Sequence, residues 1–444
     1  MTITEPIFQK YCDNIPAKLN ELPGSLHPWV KAFRKHSVDT LQEVGLPTRQ
    51  VEKWKYTDLR TLFRSDFSSQ VQSFEISEDV VSPFRVEGAI GIAVFVDGYF
   101  SSSFSSLTNL PSGLKIKSLA KMLENGDPLL KRQCRQVTED EGVGLIALNS
   151  AMMQDGAFIS IDDGISIDAP IQVMFVTTDG FAKENHLRNT IVAGNSSSAT
   201  IVESYIGIGE ASGFTNVINQ ISMGANTNLK TVKFQIESSS AFHIGLSNVQ
   251  ILQDSRFESC VFSLGARIAR NEIKVQMNGE GSGCRLNGLA LVRDRQHCDN
   301  ITDIKHSKGL CQSDQLYKGV LDNNARSVFQ GRIFVAEHSQ KTDARQMNRN
   351  LLLSKGAEAD SKPELIIHAD DVKCGHGATV GDLDNNVLFY MRSRGISEIE
   401  ARRLLIEAFA KEAFEEIADQ GILNQIDIAL TSWLSHSSVE KKVA

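Results

Sequence analysis

Proline is scarce in this 444-residue chain and unevenly placed. Of its 10 prolines, eight lie at or before Pro128, and the last two are Pro170 and Pro363. The 192 residues from 171 to 362 contain none. An irregular chain of that length rarely avoids proline. A continuous sheet does avoid it, because each proline removes a ladder N–H, and its turns use Gly or Asn instead. Cysteine is also sparse: Cys12, Cys134, Cys260, Cys284, Cys298, Cys311 and Cys374. The scatter and odd count suit a reduced, cytoplasmic protein. No Cys-x-x-Cys occurs, so a zinc site or cluster held by one segment is not expected. Any metal here takes ligands from distant segments or from another chain. The N-terminus lacks a basic stretch followed by an apolar core, which argues against a signal peptide. The longest apolar run, around Ala89 to Val96, is far short of the ~20 residues of a membrane span. Positive charge is not in excess: 46 Lys and Arg against 54 Asp and Glu give a net charge of −8. That argues against a nucleic-acid binder driven by counterion release. No G-x-x-x-x-G-K-[ST], G-x-S-x-G or H-E-x-x-H is present.

What is present divides the chain into three. The rule of about 150 residues per domain also gives about three. The first part, 1–155, reads as a helical region with some strands. Trp29 to Val44 has a helical apolar period, stopped by Gly45 and Pro47. Val51 to Phe63 reads as a second amphipathic piece, with Trp54 and Tyr56 as packing aromatics. Ile90 to Tyr99 begins strand character, and Leu119 to Val137 and Val143 to Met153 read as helices.

From 156 to 381 the pattern is short β-type runs: Phe158 to Ile161, Ile171 to Val176, Ile218 to Ile221, Leu229 to Ile236, Arg256 to Leu264, Asn271 to Met277, Cys284 to Val292 and others. Small breakers such as Gly224-Ala225-Asn226 separate them, and Gly279 to Gly283 reads as one such turn. The runs recur about every ten residues with no strict period. Two or three would make one coil of a β-solenoid. A single sandwich continuing from Ala157 to Ile367 would be unusual. The last part, 382–444, is helical. Asn385 to Arg394 ends at Gly395. Ser397 and Glu400 form a capping box for a helix running to about Asp419. A shorter helix, Ile422 to Leu434, precedes a polar tail expected to fray.

Chemistry-bearing residues concentrate between Ala369 and Gly381. Cys374 and His376, two apart, share one side of an extended chain. A thiolate and an imidazole suit iron or zinc, or a Cys–His nucleophile pair, or they sit inert. Gly375 and Gly377 permit close approach of another group. Asp370 and Asp371 either orient the imidazole or make a turn. His297-Cys298 with His306 and Cys311 is a weaker Cys/His concentration. Arg267, Arg270, Lys274 and Arg285 read as a solvated face.

The stretch from Pro363 to Ala410 resembles the SufB/SufD family of iron–sulfur cluster assembly proteins, on its SufD side. The residues carrying it are Ala369 to Cys374, His376 to Gly381 and Phe389 to Ile396. Trp54 to Leu59, Ala147-Leu148-Asn149, Val328 to Gly331, Lys341-Thr342-Asp343 and Asn348 to Leu352 extend it over about residues 50 to 420. SufB-type chains carry a Glu and other residues in place of the Cys-Gly-His-Gly pattern. Arg345 departs from the family pattern and puts a local turn in doubt.

The resemblance implies a mainly β fold: a right-handed parallel β-helix flanked by N-terminal and C-terminal helical regions. The terminal helices and a partner's strands would cover its open ladder edges. It implies a non-catalytic scaffold subunit that pairs with SufB through the β-helix. It also implies binding of SufC, an ABC-type ATPase, through the C-terminal helices. His376 would sit at the SufB interface and take part in building a transient cluster shared with SufB, with Cys374 nearby as a weaker candidate ligand. No tightly bound cofactor, nucleic acid or membrane is implied, and the isolated chain could self-pair. A structural β-helix module without a cluster role is the other reading.

Overall fold

The computed structural model describes residues 6–65, 67, 76–134, 143–179, 183–210 and 212–435. The expected fraying tail and the end of the 119–137 helix lie outside them. Two long sheets dominate, one of ten strands and one of nine. From Ala157–Ile161 onward successive strands alternate between them, and neighbours within each sheet run parallel over most of its length. The chain therefore climbs as a β-solenoid with two strands per coil, as its composition and the resemblance imply.

The sequence has a repeat that its hydrophobic runs hide. Register partners lie from 26 residues apart (Phe242 and Ile268) to 32 apart (Arg326 and Glu358). Six successive coils turn one corner through a residue with positive φ: Ser196, Asn226, Asp254, Gly281, Leu310 and Lys341. The next residue is buried and is Ser197, Thr227, Ser255, Ser282, Cys311 or Thr342. These side chains bond corner carbonyls: Ser197 and Thr227 to Gly194 O at 2.7 Å, Ser255 to Gly224 O at 2.7 Å, and Ser282 to Gly279 O at 2.9 Å. Cys311 takes one rung, with Sγ 3.3 Å from Gly279 O and Gly309 O. The rungs satisfy corner carbonyls that would otherwise be buried away from water. Cys311→Ser should stay within about 0.5 kcal/mol of the parent in urea denaturation, and Cys311→Ala should cost about 1 kcal/mol.

Helices flank the two outer faces. The helix Pro28–Val44 packs with Val143–Met152, and Leu41, Trp54 and Leu62 join Phe214, Phe242 and Ile268 of the nine-stranded sheet. On the other side, Phe414, Ile422, Leu430 and Trp433 cover Val232, Phe262, Leu289 and Val320 of the ten-stranded sheet. Strands 91–96 already belong to the ten-stranded sheet, so sheet structure starts well before residue 156.

Three expected helices are shorter than their periodicity suggests. Val51 to Phe63 is a turn, Glu52–Trp54, and a separate helix, Arg60–Arg64. The break falls where the Thr57 hydroxyl donates to Asp299 (2.6 Å). The 119–137 segment divides into Leu119–Glu124 and Pro128–Cys134, because Gly126 has φ +62° and Pro128 opens a new helix. The helix capped by Ser397 ends at Lys411 rather than Asp419. There Phe409 O accepts Lys318 Nζ (2.6 Å) and Ala413 O accepts Asn287 Nδ2 (3.1 Å), which ties the helix end to the sheet. Arg345 lies inside the strand Asp343–Leu352, so no turn occurs there.

His186 and His306 are fully buried, and burial pushes each imidazole down to about 4. The folded value lies below the unfolded ~6.5, so their stability contribution is present above that pH and is lost on acidification. Denaturation at pH 5 against pH 7.5 should show a loss of about 2 kcal/mol for each histidine. His306→Gln should remove its share.

Candidate functional site at the open end of the solenoid

The two ends of the solenoid differ. At the first coil, antiparallel strands Tyr99–Ser106 and Leu114–Ser118 lie over the sheet edges. At the last coil, Glu358–Ile367 and Lys373–Gly381 each pair on one side only. The terminal helices cover the outer faces and leave this end uncovered, contrary to the expectation that they would help cover it. Cys374 and His376 sit in that last strand, Lys373–Gly381, and not in a loop.

Ladder geometry fixes what the open edge presents. Lys373 N–H donates to Thr342 O (2.8 Å). Alternation then turns the N–H and C=O of Cys374, His376, Ala378 and Val380 outward. In the neighbouring sheet, Glu358 N–H and His368 N–H donate to Ala325 O and Val335 O. Odd-numbered residues of Glu358–Ile367 therefore face out, and the N–H missing at Pro363 is one the chain's own ladder never uses. This accounts for a proline inside a strand.

The side chains follow the same register. Cys374 lies beside Ala344, and His376 beside Gln346. Both neighbours are buried and face the coil interior. Cys374 is half-buried against a cluster of Ile333, Val335, Ala344 and Ala369. Burial, and next the nearby Asp343 carboxylate, push its thiol above the ordinary range. That is the wrong direction for a nucleophile. No hydrogen bond joins Cys374 to His376 among the described residues. His376 is exposed because no further coil covers it. Asp371 pairs with Lys341, and its N–H donates to Gln340 Oε1 (2.9 Å), so it serves the turn rather than the imidazole. A Cβ on Gly375 would meet nothing within 4 Å.

Among the described residues, no three His, Cys, Asp or Glu side chains are grouped to hold a metal. Cys374 and His376 supply two donors at most. The other Cys/His concentration does not converge. His297 meets Thr57 Oγ1 at 3.1 Å, His306 meets Ser313 Oγ at 2.9 Å, and Cys298 and Cys311 are buried.

Sequence reasoning missed a buried ionic cluster. Arg270, expected on a solvated face, is fully buried with its guanidinium 3.7 Å from the Trp54 ring centroid. It pairs with Asp299 and lies 3.5 Å from Glu272. Thr57 Oγ1 and Gln330 Nε2 (3.2 Å) donate to Asp299, and Gln330 also donates to Lys53 O (3.3 Å). The Trp54 to Asp58 segment is thus clamped onto the nine-stranded sheet. The signal was the aromatic–Thr-Asp segment itself, but its partners lie over 200 residues away.

Two family models match the chain. The model for the SUF system FeS cluster assembly SufBD core domain covers residues 175–409, and that for the SufBD protein N-terminal region covers 6–173. SufD of Escherichia coli K12 is 35% identical over 87% of this chain and 89% of its own length. An iron–sulfur cluster assembly SufBD family protein of Synechocystis is 32% identical, covering 86% of each chain. SufD of Bacillus subtilis is 29% identical over 90% of this chain and 92% of its own. No helix among the described residues is long and apolar enough to cross a membrane. A two-strand-per-coil parallel solenoid between two helical regions, ending in the Cys374–His376 strand, is where these matches meet: the chain belongs to the SufB/SufD family of iron–sulfur cluster assembly proteins and is of the SufD type.

Proposed function

We propose that the chain is a non-catalytic scaffold subunit whose open solenoid edge pairs with SufB. The carrying observation is the unpaired last strand, which presents backbone N–H and C=O groups beside Cys374 and His376. An edge of this kind recruits another strand unless it is blunted. With two donors on this chain, a nascent cluster or iron at the interface needs the rest of its ligands from the partner. His376 is the exposed donor and the stronger candidate, and half-buried Cys374 is auxiliary. The open space beside Gly375 gives the partner room to approach. The ATPase SufC docks on the C-terminal helices, where Phe389 is 74% and Tyr390 58% exposed on Asn385–Ser393.

Mild thiol labelling tests this reading. Six of the seven cysteines are buried, so labelling reports Cys374. Copurification with a paralogous solenoid and an ATPase should protect Cys374 relative to the isolated chain. Equal reactivity in both states would contradict an interface there.

A further inference from the structure

His376 ends a column of inward-facing polar side chains. Gln315, Gln346 and His376 are register partners on three successive strands of the ten-stranded sheet. Neighbouring strands in a sheet lie ~4.8 Å apart, so these side chains stack within mutual reach. Gln315 is fully buried and Gln346 is 2% exposed. Gln346 Nε2 donates to Gly331 O (3.3 Å), and a Cβ on Gly331 would fall 2.0 Å from that nitrogen. Glycine at 331 therefore makes room for the amide, whose orientation is set by the carbonyl it meets. Its Oε1 is buried and has no partner. A buried amide oxygen left without a donor costs about 1–3 kcal/mol. It has two acceptor sites. The unpartnered Gln315 Nε2 on the coil below can fill one. On the other side the next side chain is the His376 imidazole, which carries an N–H.

We infer that Gln346 is a positioning residue for His376: its Oε1 accepts the imidazole N–H and leaves the second ring nitrogen, as a lone pair, facing the open edge. A carbonyl oxygen behind a ligating imidazole is the usual way to fix its tautomer and ring orientation. Gln346 touches no cluster. It holds the group that does, so the inference rests on the proposed role of His376 and deepens it.

The test is read on the full-length chain without any cluster, so it stands or falls apart from the assembly role. Protein carrying 15N-labelled histidine is compared with His376→Gln to assign the His376 ring. The expected result is a single tautomer with a ring N–H proton visible in water, its exchange slowed by the bond into the coil. In Gln346→Met that proton should vanish and the ring nitrogens average toward the free imidazole pattern. Gln315→Met, with equal burial one coil earlier, should leave the His376 signature unchanged. An averaged His376 ring with no visible N–H in the parent chain would overturn the inference, and needs only the exposed-site variant His376→Gln for its assignment. So would an unchanged signature in Gln346→Met.

Discussion

Replacing Arg270 by alanine is expected to destabilise the chain by about 3–5 kcal/mol, the range for breaking a buried ion pair from one side. The reason is what the side chain leaves behind. Asp299 is fully buried and its cation is Arg270. Glu272 is mostly buried, and its carboxyl is already pushed up by desolvation despite Arg270 and Lys53. Without the guanidinium, Glu272 keeps Lys274 and Lys53 nearby, but Asp299 is left as a fully buried carboxylate without its cation. Trp54 also loses the cation on its face, a contact worth roughly 1–2 kcal/mol when desolvated. The double variant Arg270→Met with Asp299→Asn should recover much of the loss, because it removes both charges and keeps an acceptor for Thr57. By contrast, Arg345→Ala should change stability by less than about 0.5 kcal/mol, since its pair with Asp343 is solvent-exposed. Urea denaturation followed by tryptophan fluorescence checks all three. A small effect of Arg270→Ala would mean the N-terminal segment is held by apolar packing alone.

Ala378→Pro is expected to abolish pairing with a solenoid partner and leave the chain folded. The N–H of residue 378 points away from Asp343–Leu352, so proline there removes no bond within the chain. It removes one outward donor and puts a ring where a partner strand would lie. Gly377→Pro is the matched control. Residue 377 faces the chain's own ladder, and a Cβ there already falls 2.8 Å from Met347 Cε. That exchange should lower stability as well. Copurification and thermal denaturation of both variants separate the edge from the fold. If Ala378→Pro retains its partner in full, the pairing does not run through this strand.

Much of the architecture was legible in the chain. The proline gap and the β runs pointed to a stacked sheet, and the breakers fell at its corners. The coil period was hidden because hydrophobic runs mark strands, and two strands make a coil. The signal sat instead in the corner residues, from Ser197 to Thr342, where hydroxyls and one thiol alternate as rungs. Cys374 and His376 were legible as a pair. Their place on an uncovered edge was not, because exposure of a strand depends on what fails to follow it. Arg270 was illegible for a related reason. Local sequence shows a basic residue in a strand, and only the fold brings Trp54 and Asp299 to it. Pro363 was conspicuous as the end of the gap, and the structure gives it a sharper meaning as an edge residue whose missing donor faces out.

The central claim is that His376 acts at an interface this chain shares with a partner. The most direct measurement is complementation by His376→Ala in cells dependent on this assembly system, with the complex purified in parallel. The account predicts that cluster assembly is lost while partner and ATPase copurify in parental amounts. Assembly at the parental level in His376→Ala, with the complex intact, would contradict it.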